Sequence, residues 1–309
     1  MSGSIDETGS AAREAAADAV WRQWSLLGAP VAGASPAPRS VIDPEALLLL
    51  SASIRSSERR LDDVLGWWAA AGSPLLSVQR TTTMLRHFPP STRAGVASFA
   101  AAAVEAGDGR WNTLARAAGA ETLASRGKRG GEPRLTSCPA LMLRLRAGFG
   151  VGVKADLLAI LLSMGGTDAT VRSLSTASGY TPASVRRAAQ EMEAAGFVRR
   201  VKGRPAGYFV EPRRWSDLLA APERKGSEWR WLAQVFAFLA WTSEWSVQQR
   251  ESSAYIAGTT ARDLTEEHRA AFDQNRIILT GFFRYAGESY VDAFRDDVKA
   301  IADWLRISL

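Results

Sequence analysis

Residues 152–212 read GVKADLLAILLSMGGTDATVRSLSTASGYTPASVRRAAQEMEAAGFVRRVKGRPAGYFVEP. In the first part Leu157, Leu158, Leu161 and Leu162 recur at steps of three and four, which predicts an amphipathic helix over 154–164 that Gly165 and Gly166 end. Asp168 or Thr170 then caps a short second helix over 171–178, with Val171, Leu174 and Ala177 on one face. Gly179 supplies the left-handed residue of a tight turn. The restart is abrupt: Thr181 is a good N-cap, and Pro182 at the first helical position sacrifices no hydrogen bond, because that N–H has no partner inside a helix anyway.

The third helix, 181–195, sorts into two faces at about 100° per residue. Val185, Ala188, Ala189, Met192 and Ala195 point one way, and Ala183, Arg186, Arg187, Gln190 and Ala194 the other. Long hydrogen-bond donors among small residues suit a helix lying in a major groove, where arginine and glutamine reach base edges and alanine permits close approach. After Gly196 the period shifts towards two, predicting a hairpin over 198–210 with a glycine-flanked tip. Its basic arm suits phosphates or the minor groove. Arg186, Arg187 and Gln190 are therefore the candidate groove readers, Thr181 and Ser184 lie near phosphates, and Arg199, Arg200, Lys202 and Arg204 belong to the hairpin.

This order of elements resembles the winged helix-turn-helix transcriptional regulators of the MarR and ArsR type. The matching residues are Leu174, Gly179, Val185, Met192 and Gly196-Phe197-Val198 with the wing behind them, and the resemblance is confined to 152–212. It implies a homodimer that sets paired winged helices on inverted half-sites of double-stranded DNA, as a repressor. The chain departs from those families in its large flanking regions, so dimer geometry and effector do not carry over.

Charge agrees with that placement. The net +6 of the 309 residues is local: 126–214 hold 16 basic against 6 acidic residues, while 1–125 and 215–309 each hold a slight acidic excess. Phosphate binding needs such a concentration of charge. A single cysteine, Cys138, permits no internal disulfide and points to a reducing, cytoplasmic setting. Residues 1–19 lack the apolar core of a secretory signal, and the most apolar run, 229–241, is too short for a membrane span and contains Arg230 and Gln234.

The expected fold is mainly α, a winged helix-turn-helix with a small hairpin flanked by N- and C-terminal helical domains. The segments are a flexible tail and docking helix over 1–40, an N-terminal helical domain over 41–125, a basic linker over 126–136, the central unit over 137–214 and an aromatic-rich helical domain over 215–309. Asp43-Pro44-Glu45 marks a helix start. A helix near 141–145 leads into the central unit with Arg144 and Arg146 exposed. The last helix carries Val291, Phe294, Val298, Ile301, Trp304 and Leu305 at heptad-like spacing, and either closes the core or pairs with its copy.

Enzymatic signatures are missing from the sequence. His87 and His268 are far apart and in no metal-ligand spacing, with His268 read as a surface or half-buried histidine. Cys138 reads as a packed small residue. No phosphate loop, dinucleotide fingerprint or nucleophile elbow is present, so no catalytic residue, cofactor or metal is assigned. Trp229, Trp231, Trp241 and Trp245 have two readings: core filling, which is the simpler, or an aromatic pocket for a small apolar effector. The alternative function is a protein-interaction subunit, such as an antitoxin or defence-operon component, whose C-terminal aromatic domain grips a partner.

Overall fold

Small residues at the N-terminus build a helix rather than a tail. In the computed structural model, which describes residues 2–30, 40–116, 123, 131–216, 219 and 228–309, α1 (Ser2–Leu27) buries Ile5, Thr8, Ala12, Ala16, Val20, Trp24 and Leu27. The flexible tail expected over the first residues is thus corrected, and the reason is steric. A Cβ on Gly9 would stand 2.0 Å from Ser246 Oγ and 2.4 Å from its Cβ, so only a chain of small residues can lie this close to the helix that carries Ser246. Gly9→Leu should lower the unfolding free energy by about 1–3 kcal/mol, although leucine is the better helix former. An unmoved chemical-denaturation midpoint would return these residues to a tail.

Five helices follow: α2 (Pro44–Ile54), α3 (Leu61–Ala71), α4 (Val78–Met84), α5 (Thr92–Glu105) and the single turn α6 (Asn112–Ala115). Asp43 caps α2 by accepting from the Ala46 N–H at 3.2 Å, and Pro44 takes the first turn. Nearly every residue of α2 is buried, because its apolar run covers the whole circumference and needs partners on several sides. It finds them in α1, α5 and a helix near the other end of the chain.

That distant partner is α12 (Leu232–Gln248), reached after the central elements α7 (Leu141–Phe149), α8 (Val153–Ser163), α9 (Val171–Ser178), α10 (Pro182–Ala194) and α11 (Arg213–Ser216). It is followed by α13 (Ala254–Asn275), α14 (Thr280–Arg284) and α15 (Tyr290–Ser308). Trp24, Leu48, Trp68, Phe99, Phe236, Phe238, Phe272, Phe294 and Ile301 all belong to one core. The separate N- and C-terminal domains expected from the sequence are therefore one body: α2 and α12 are each apolar on several sides and cover one another. In that body α15 closes the core against α1 and α13, its heptad-like face being used within the chain.

The central unit has its own core, built from Met142, Leu145, Leu157, Leu161, Leu174, Val185, Met192, Val198, Tyr208 and Trp215. Three short strands, β1 (Ala169–Thr170), β2 (Arg199–Val201) and β3 (Gly207–Phe209), form an antiparallel sheet in the order β1-β3-β2. The mainly helical class with a small sheet agrees with expectation. The first part of the basic linker (126–130) and the second boundary (222–227) lie outside the described residues. Among the described residues no helix is long and apolar enough to cross a membrane.

Candidate nucleic-acid interface

Local chemistry sets the turn between α9 and α10. Thr170 caps α9 by accepting from the Ser173 N–H at 3.2 Å, and Gly179 ends it with φ +71°. Thr181 caps α10 by accepting from the Ser184 N–H at 3.3 Å, with Pro182 in the first turn. Val185, Ala188, Ala189 and Met192 face the central core, which leaves Arg186, Arg187 and Gln190 exposed on the opposite side.

Strand register then divides the hairpin's cations. Arg200 pairs with Tyr208 and Arg199 with Phe209, so the two arginines lie on opposite faces. On the Tyr208 face Arg200 joins Arg186, Gln190 and Arg172 around one cleft between α10 and the hairpin. On the other face Arg199 is 3.5 Å from the Glu211 carboxylate, which Arg214 also approaches at 3.0 Å. Lys202 and Arg204 stand exposed at the tip beyond the paired strands. The hairpin sits tight against the loop before α9: a Cβ at Gly207 would meet Asp168 Oδ2 at 2.1 Å. On α10 itself Glu191 is held by Lys154 at 2.7 Å, and that ammonium keeps its carboxyl below the ordinary value. Of the nine residues chosen from sequence, Ser184 is half-buried and the other eight are exposed; Arg186, Gln190 and Arg200 share the cleft, and Arg199 is set apart from it. Arg172 was missed, because α9 was read for its apolar face alone.

Behind this surface lies a buried ionic cluster that the sequence did not disclose. Arg146 Nε and Nη2 donate to Asp156 at 2.6 and 2.8 Å, and its Nη1 and Nη2 to Glu45 at 2.6 and 3.1 Å. Arg80 donates to Asp43 at 2.7 Å, to Glu45, and through Nε to the Ser178 carbonyl at 2.6 Å. Tyr180 completes it by donating to Asp156 at 2.9 Å. Arg146, expected to be exposed, is 1% accessible, and Arg144 is half-buried with its Nη1 on the Leu219 carbonyl. Their helix exposes only a narrow strip, since Glu45 from the body and Asp156 from α8 both reach it.

Burial pushes the Glu45 carboxyl up, but the guanidiniums of Arg146 and Arg80 outweigh it and hold the group below its ordinary value. Burial likewise opposes the charge on Arg80, where the surrounding carboxylates prevail and keep it cationic. For Tyr180 burial and the neighbouring Asp156 both raise the phenol, so it stays a donor. The cluster joins α2 and α4 of the body to α7, α8 and the α9–α10 turn.

The four tryptophans split between the two readings given above. Trp245 is core, edge-on to Phe294 with ring centroids 5.0 Å apart, and Trp241 donates from Nε1 to the His87 carbonyl. Trp229 and Trp231 instead line clefts between the body and the central unit. His268 is buried, further in than the surface or half-buried place expected of it, because its ring packs edge-on against Phe238. Cys138 is exposed, not packed, since the neighbouring Pro139 and Ala140 take the buried side of that turn. Among the described residues no cluster of three or more His, Cys, Asp or Glu is arranged to hold a metal ion. Comparison with protein-family models, with curated proteins and with solved structures found no match.

Proposed function

We propose that this chain is a cytoplasmic, sequence-specific double-stranded DNA-binding regulator, acting as a repressor and binding as a homodimer. In this reading α8, α9 and α10 with the three-stranded sheet are a winged helix-turn-helix, and 199–209 is its wing. One observation carries it: Arg172, Arg186, Gln190 and Arg200, from a helix, a second helix and a hairpin, converge on one exposed cleft. In that reading α10 enters the major groove, Arg186, Arg187 and Gln190 meet base edges, Thr181 and Ser184 lie by phosphates, and Lys202 and Arg204 follow the backbone.

The test is binding to DNA from upstream of the protein's own gene, against scrambled DNA, across a salt series. If Arg172, Arg200, Lys202 and Arg204 each neutralise a phosphate, log K should fall against log salt with a slope of about −4 per protomer. Selectivity for the upstream DNA, lost in the Arg186/Arg187/Gln190 triple-alanine variant, is the expected result. Weak binding that does not distinguish the two DNAs would remove the regulator reading.

A second reading, a partner-binding subunit, draws on a different observation. Ile278, Phe283 and Tyr285 stand exposed on the C-terminal part of the body, with Tyr255 and Ile256 on the neighbouring helix. A pure DNA binder needs no such patch beyond a dimer seam, and α15 does not supply the seam because its apolar face is covered within the chain.

A further inference from the structure

The chain crosses from the central unit back to the body through Glu228, Trp229, Arg230 and Trp231, and each end of this crossing is tied to a different core. The Trp229 N–H donates to the Ser163 carbonyl at the end of α8, at 3.3 Å. Trp231 is held by the buried Asn275 side chain of α13, whose Oδ1 accepts from its N–H at 3.1 Å and whose Nδ2 donates to its carbonyl at 3.3 Å. Between these anchors lies a cleft of about 400 Å³, walled by α4, α9, α12 and α13, with Met84, Ala177, Trp229, Trp231, His268 and Ala271 on its lining. This volume is within the range of small-molecule sites, and its walls mix apolar side chains with polar ones, Asp43, His87, Glu267 and Gln274 among them.

One polar group there lacks a partner. His268 Nδ1 lies 3.0 Å from the Leu264 carbonyl, which can only accept, so Nδ1 carries the proton and Nε2 is left as an acceptor. Burial depresses the imidazole's proton affinity, which keeps the ring neutral near pH 7. The one hydrogen bond His268 makes among the described residues is through Nδ1, so no described residue donates to Nε2. A buried acceptor left without a donor is costly unless something in the cleft donates to it.

We infer that this cleft binds a small planar aromatic molecule carrying a hydroxyl or ring N–H, with its ring between the Trp229 and Trp231 side and α13, and its donor on His268 Nε2. Such a ligand touches α9, next to the α9–α10 turn, and three helices of the body at once. It would therefore bear on how the two cores sit against each other. That consequence rests on the DNA-binding reading proposed above, whereas occupancy of the cleft does not.

The experiment is titration calorimetry of the full chain, without DNA, using 1-naphthol and its donor-free analogue 1-methoxynaphthalene. The expected result is one saturable site for 1-naphthol, about tenfold weaker binding of the methoxy compound, and a similar loss for 1-naphthol in His268→Phe, which keeps the edge-on contact with Phe238. Ala270→Trp blocks the same cleft from an exposed position on α13, where folding tolerates the change, and should abolish binding whether or not His268→Phe folds. No saturable binding of 1-naphthol, or binding unchanged in Ala270→Trp, overturns the inference. Since no DNA is present, neither result bears on the regulator reading.

Discussion

Arg146→Met should lower the unfolding free energy by about 3–5 kcal/mol, read from denaturant melts. The side chain is 1% accessible and satisfies Asp156, Glu45 and the Leu75 carbonyl together, so its removal leaves Glu45 with Arg80 as its one charged donor and Asp156 with the Tyr180 phenol. Methionine fills much of the same volume and neutralises nothing. Arg146→Lys should be intermediate, because a single ammonium cannot fork to both acids as a guanidinium does. Around Arg80 and Arg146 stand three acids, Asp43, Glu45 and Asp156, one more than the arginines balance. Helix ends supply the remainder: Asp43 caps α2, while Glu45 and Asp156 occupy the first turns of α2 and α8. Acid should therefore unfold the protein through this cluster. Glu45's carboxyl is lowered in the fold, so its contribution is complete above its ordinary value of 4.5 and is lost as the pH falls below that through the lowered value. A loss below about 1 kcal/mol in Arg146→Met would mean that the acids find water and that the two units are not locked at this point.

The cluster also marks the limit of what sequence discloses. Within 152–212 the three helices and the hairpin were legible because each is decided locally: the Thr170 and Thr181 caps, the left-handed Gly179 and the proline at the start of α10 act within a few residues of themselves, whereas β1 exists only through its pairing with β3 and was not legible. The outward face of α10 was legible for the same reason, as helical period alone puts Arg186, Arg187 and Gln190 opposite Val185 and Met192. Arg146 lies 101 positions from Glu45 and Arg80 lies 98 from Ser178, and nothing in either neighbourhood marks an arginine as buried. An arginine on an amphipathic helix reads as a solvated face until a partner from elsewhere arrives. The union of N- and C-terminal helices was hidden in a similar way. Two helices apolar on several sides must each be covered, but composition does not say that α2 and α12 cover each other. Arg199 and Arg200 were indistinguishable as neighbours in a basic run, and only the pairing with Phe209 and Tyr208 separates them.

That separation sharpens the prediction with the largest expected effect on function. Arg187→Ala should weaken binding to the cognate sequence by about 1–3 kcal/mol and leave scrambled DNA nearly unchanged, because a bidentate base contact carries sequence information. Arg187 makes no close ion pair among the described residues: Glu191, one turn further along α10, feels its charge but is engaged directly by Lys154 at 2.7 Å. Lys202→Ala should instead weaken cognate and scrambled DNA alike and flatten the salt slope by about one, as loss of a phosphate contact does. Arg199→Ala serves as the internal control. Its guanidinium faces Glu211 at 3.5 Å on the side of the hairpin away from α10, so removing it should change affinity less than either of the others. Equal losses on both DNAs for Arg187→Ala and Lys202→Ala would remove base reading by α10 and leave a basic surface without sequence preference. A loss in Arg199→Ala as large as that in Lys202→Ala would place the far face of the hairpin on the backbone, with Glu211 giving up its partner to phosphate. In that case the hairpin would lie with its edge, and not its α10 face, along the duplex.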